Sequence, residues 1–91
     1  MAFPVTGEVR DIIGDLARLR AAVEPRLGLA SPPAREEWLR VCARIPRPEE
    51  VASGFVAITE EELADIRSRV SRFNQILTRL DPTSPAQILP R

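Results

Sequence analysis

The chain has 91 residues, a mass of 10.1 kDa and thirteen basic side chains balanced by thirteen acidic ones, for a formal net charge of zero. All the cations are arginines; Lys, His and Tyr are absent, and Cys42 is the single cysteine. That composition excludes the usual zinc and haem ligand sets and any disulfide within the chain, and it leaves only carboxylates and one thiol for proton transfer near neutral pH.

The nine prolines divide the chain into proline-free stretches 5–24, 34–45 and 49–81. Proline breaks a helix internally but suits its first turn, so this spacing predicts an all-α fold of three helices. The first runs over about 8–24. Thr6 is its expected N-cap, and Glu8 and Asp11 favour the positive end of the helix dipole. Val5, Val9, Ile12, Leu16, Leu19 and Val23 recur with a heptad a/d spacing, widened by Ile13. Gly14 inside this helix suggests a close approach of a neighbour. Pro25 ends the element.

The second helix is expected over about 33–44, with Ser31 as N-cap and Pro32 in the first turn. Its narrow apolar face carries Ala34, Trp38, Val41, Cys42 and Ile45. Residues 46–58 read as a connector. Pro48–Gly54 suits one helical turn, and Phe55–Ile58 reads as an extended packed segment, because a lone strand lacks a partner.

The third helix, over about 60–80, has the clearest local signal. Thr59 and Glu62 form a capping box, and Ile58 with Leu63 forms a hydrophobic staple. Leu63, Ile66, Val70, Phe73, Leu77 and Leu80 then repeat the a/d spacing, with Ile76 beside them. Asp65 and Arg69 can pair at i, i+4. After Asp81 the tail 82–91 has three prolines and no helical period, so an extended strand of chain is expected there.

The expected core is therefore Val9, Ile12, Leu16, Leu19 and Val23 packed on Leu63, Ile66, Val70, Phe73, Leu77 and Leu80, in a domain over 1–81. The arrangement is a small three-helix bundle, or a helical hairpin plus a short helix. A chain this short buries about 64% of its unfolded surface, enough for one modest core. The seams also allow a coiled coil between chains. With Leu63 at position a in a parallel dimer, Glu62 at g faces Arg67 at e of the other chain, a pairing that an antiparallel hairpin does not use.

No residue stands out for catalysis. Cys42 has no His as base and reads as a small apolar residue. Glu60, Glu61 and Glu62 radiate around one turn and serve the cap and the dipole. Arg67, Arg69 and Arg72 form the densest basic run. Trp38 suits a core and an interface equally. These residues predict a non-catalytic interaction protein without cofactor or metal, acting as an accessory or scaffold subunit. Its candidate contact residues are Ile13, Trp38, Arg67 and Ile76, with Ile88 and Leu89 on the tail. The partner is either a second copy or a larger subunit. The alternative is a small dimeric nucleic-acid regulator using the arginines of the third helix, although zero net charge and few aromatics make nucleic acid an unfavourable partner. The longest uncharged stretches are too short to span a bilayer, and no signal peptide is visible at the N-terminus, so a cytoplasmic location is expected.

Glu50-Val51, the run Thr59-Glu60-Glu61-Glu62-Leu63, Ile76-Leu77 and Asp81-Pro82-Thr83 resemble the C subunit of tRNA-dependent amidotransferases. The resemblance covers about a third of the chain. Ser53-Gly54 falls where that family's Leu-Ala-rich first helix runs. The resemblance implies a small subunit that wraps and stabilises an amidase.

Overall fold

A computed structural model describes residues 1–81. Along the chain lie β1 (Phe3–Pro4), α1 (Gly7–Val23), a 3-10 segment (Glu24–Leu29), α2 (Pro32–Ala43), α3 (Pro48–Ser53), β2 (Phe55–Val56) and α4 (Glu60–Leu80). The fold is all-α, with three long helices, one short one and a ladder of two residue pairs. The expected tail 82–91 lies outside the described residues.

The helix starts follow from side chains that accept the first free amides. Thr6 Oγ1 accepts from the Val9 amide at 3.1 Å, and Ser31 Oγ accepts from the Ala34 amide at 3.4 Å. At α4 the capping box closes in both directions. The Glu62 amide donates to Thr59 Oγ1 at 3.1 Å, and the Thr59 amide donates to Glu62 Oε1 at 3.3 Å. Arg47 precedes α3, and its amide donates to Glu50 Oε1 at 3.3 Å.

Helix ends are set differently. Pro25 stops the α-hydrogen-bond ladder of α1 but suits the first turn of the 3-10 segment that follows it. Gly54 closes α3 at φ +91°, in the left-handed region where a Cβ is strained. Gly54→Ala is expected to cost about 1–2 kcal/mol from this backbone strain alone, since a methyl there meets no other atom within 4 Å. Urea unfolding checks it. A cost near zero would mean that the turn relaxes freely.

Phe55-Val56 is not a lone extended segment. It pairs antiparallel with Phe3-Pro4, in the register Phe3 with Val56 and Pro4 with Phe55. The Val5 amide extends the contact to the Gly54 carbonyl at 2.9 Å. The connector's partner was hidden because two residues ahead of a helix carry no alternating pattern.

This ladder starts α1 and α4 from the same end of the molecule. Asp15 meets Arg67 and Arg26 meets Asp81, so an advance along α1 and the 3-10 segment is an advance along α4. The two heptad-patterned helices are therefore parallel. Arg44 meets Glu62 while Glu37 meets Arg69, so α2 runs antiparallel to α4 and returns the chain to the starting end. An α1–α4 hairpin is not formed, because α2 and α3 intervene.

One cluster forms the core. Val9, Ile12, Leu16 and Val23 of α1 pack with Leu63, Ile66, Val70 and Leu77 of α4, and Trp38, Val41, Val56 and Ile58 complete it. Leu19 and Phe73 are partly buried against this cluster. Leu80 departs from the expected core and is 53% exposed. A strict seven-residue repeat drifts about 20° per heptad around a straight helix. Along α4 the drift carries Ile66, Phe73 and Leu80 from fully buried to partly buried to exposed. Beside the last turn of α4 lies the 3-10 segment, which has no fully buried residue; its Leu27 packs partly buried against the core and its Arg26 meets Asp81 and Thr78. Gly14 marks no close approach, since nothing lies within 4 Å of a Cβ there.

Candidate interaction surfaces

The seam residues are used within the chain, and so are the charges that a parallel dimer needs. Glu62 is held by Thr59 and by Arg44 at 3.4 Å. Arg67 donates to Asp15 at 3.1 Å, across the α1–α4 seam, and Asp15 also meets Arg18. Trp38 is 2% exposed and stands edge-on to Phe73, with centroids 5.3 Å apart, so it belongs to the core rather than to an outer face. Its burial follows from α2 lying antiparallel on α4, a contact that no local pattern specifies. Ile13 is half-buried against the core. Ile76 is 49% exposed. Ile88 and Leu89 lie outside the described residues.

The basic run of α4 is divided by helix geometry. Residues 67, 69 and 72 project at different angles around the axis. Arg67 faces α1 and Asp15. Arg69 donates to Asp65 at 2.9 Å and lies 3.9 Å from Glu37 of α2. Arg72 makes no ion pair among the described residues and lines two grooves at once. The first, of about 580 Å³, lies open between α1 and α4, with Arg18, Arg67, Ser68 and Ser71 among its walls and Asp15 within it. The second, of about 320 Å³, lies between α2 and α4 over Ala34, Phe73 and Ile76, with Glu37 and Arg69 at its sides. Continuous phosphate tracking needs converging cations. Here two of the three are already matched by carboxylates.

Cys42 lies on α2, partly buried against the core. Burial pushes its thiol above the usual cysteine range, Arg20 of α1 pulls it down, and Glu24 pushes it up again. The sequence neighbours Arg40 and Arg44 are not the controlling cations. Arg40 is turned to Glu37 and Arg44 to Glu62. A protonated thiol is a poor nucleophile.

The acids at the paired helix starts have electrostatic consequences. A hydrogen bond with Glu8, reinforced by the repulsion of its charge, holds the Glu60 carboxyl above the usual range. The Thr59 hydroxyl and amide hold Glu62 below it. The two act oppositely on stability. Glu60's contribution is present at acid pH and is lost as pH rises through its raised pKa. Glu62's is present above its unfolded pKa and is lost as pH falls through its lowered one. Glu60→Gln is therefore expected to gain stability relative to wild type at pH 7, and Glu62→Gln to lose it. Both differences should shrink on titration into the acid range. Thermal melts across pH check the sign; a destabilised Glu60→Gln at pH 7 contradicts it. Both groups are fully solvated, so salt screening weakens both effects.

Among the described residues no group of three His, Cys, Asp or Glu side chains is arranged to hold a metal ion. No described helix is long and apolar enough to cross a membrane. Sequence reasoning missed the exposure of Phe55, whose partner strand is remote in sequence, and of Leu39, which lies next to Trp38 and takes the opposite face of α2. The residues that carry the amidotransferase resemblance are in part capping residues here. Thr59 and Glu62 are bonded to each other, and Leu63 is wholly buried. No family model, no curated protein and no solved structure matches this chain.

Proposed function

We propose that this chain is a non-catalytic protein–protein interaction module, an accessory or scaffold subunit of a larger assembly. The observation that carries the reading is an unpartnered apolar stripe on α4. Ile76 and Leu80 stand one turn apart, each about half exposed, beside the partly buried Phe73. A pair of large aliphatic side chains on one turn gains from being covered, at roughly 25 cal/mol per Å² of apolar area. The α1 and α4 seams support contact through this flank rather than through a coiled coil, because their a/d residues already fill the intrachain core. The nucleic-acid alternative is weakened by the ion pairs of Arg67 and Arg69.

The test is a comparison of wild type with Ile76→Asp/Leu80→Asp, by sedimentation over a concentration range and by tagging at native expression level. Wild type is expected to associate with itself or with a stoichiometric companion. The variant should keep its circular dichroism and lose that association. A wild type that remains a solitary monomer in both measurements overturns the reading.

A further inference from the structure

We propose that the groove between α2 and α4 receives an acidic amphipathic helix from a partner protein. This assignment rests on the interaction-module reading above and adds the chemistry of the partner. The floor is apolar. Ala34, Phe73 and Ile76 line a groove of about 320 Å³, and Leu80 continues its stripe by one turn. Residues 73, 76 and 80 follow the i, i+3, i+7 spacing to which the anchor residues of an incoming helix are matched.

The rim is cationic. Arg69 and Arg72 stand at the groove, and Arg79 lies two turns along α4 from Arg72. Arg69 is engaged by Asp65 and Glu37. Arg72 and Arg79 are exposed and make no ion pair among the described residues. Glu37, the one acid in the groove wall, is shared between Arg40 and Arg69. No Asp or Glu follows Asp81 in the sequence, so residues 82–91 contain no acidic side chain to balance the rim.

Guanidinium groups without partners beside an apolar floor select carboxylates that flank apolar anchors. A cationic helix would meet uncompensated arginines. A nucleic-acid backbone would leave the apolar floor uncovered. A second copy, laid groove to groove about a two-fold axis, would set one arginine rim near another.

The experiment titrates the 15N-labelled chain with a synthetic helical peptide that carries Leu at i, i+3 and i+7 and Glu on both flanks. The same peptide with Lys in place of Glu is the control. The Glu peptide is expected to shift the amides around Ala34, Phe73 and Ile76 and to bind at least about tenfold tighter than the Lys peptide, a preference that fades with salt. Arg72→Glu/Arg79→Glu should reverse the preference. Its circular dichroism should be unchanged, since both side chains are exposed. Equal affinity for the two peptides, shifts elsewhere on the molecule, or no shifts at millimolar peptide overturns the assignment. So does tighter binding of duplex DNA through the same arginines, or a dimer formed through this groove. The peptide results leave the interaction-module reading intact; it fails separately, if wild type remains a solitary monomer without a companion.

Discussion

Trp38→Ala is expected to destabilise the fold by about 3–5 kcal/mol, the range for removing a large aromatic from a core. Trp38 is 2% exposed, and with Val41 it carries α2 into the common cluster. Its removal deletes the edge-on contact with Phe73 and leaves a void between α2 and α4. A domain of this size has about 5–15 kcal/mol of stability in all, so the variant should be near its unfolding midpoint at moderate temperature. Chemical unfolding followed by far-ultraviolet circular dichroism measures it, since the change also removes the fluorescent reporter. A cost below about 1 kcal/mol would mean that α2 is only loosely attached and that Trp38 is accessible in solution.

Leu16→Ala and Val70→Ala are each expected to cost several kcal/mol, about 2–5 for the leucine. Both residues are fully buried in the one cluster, on the parallel pair α1 and α4. One feature distinguishes this pair from a seam between chains. The loss should be independent of protein concentration, because a folded monomer carries the contact. A stability that rises with protein concentration, and a loss that disappears in the dilute limit, would show that the heptad residues meet across two chains.

Much of the secondary structure was legible because it is written locally. Thr6, Ser31 and the Thr59–Glu62 box act within four residues of themselves, and each caps the helix that its spacing predicts. The proline pattern likewise separates elements, because a missing amide acts at its own position. The 3-10 segment after Pro25 was not legible. A proline at the first turn of a new element and one at the end of an old element look alike in sequence.

The candidate surface was only partly legible. Ile76 stands out as an extra apolar residue beside the seam, but Leu80 reads as core from its spacing. Its exposure comes from the drift between a seven-residue repeat and a 3.6-residue turn. Trp38 shows the reverse. Its residue type suits an interface or an interior, and only the antiparallel packing of α2 on α4 buries it. The arginines behave in the same way. Their spacing separates them around α4 and pairs Arg69 with Asp65 one turn back, but whether Arg67 meets an acid depends on Asp15, fifty-two residues away.

Composition removed imidazole, lysine and tyrosine side chains, and with them the usual zinc and haem ligand sets, before any fold was considered. The capping residues and the apolar period then determined three long helices and most of the core, because those effects act over one or two turns. Tertiary structure decided that α1 and α4 run parallel, since two residue pairs of a ladder between remote segments set both helices off from one end. It also decided which charges are matched and which remain open. Zero net charge describes the whole chain, whereas an ion pair forms only where the fold brings two groups within about 4 Å of each other. A neutral sequence thereby keeps Arg72 and Arg79 without an ion pair among the described residues, beside the exposed apolar residues Ile76 and Leu80 of α4.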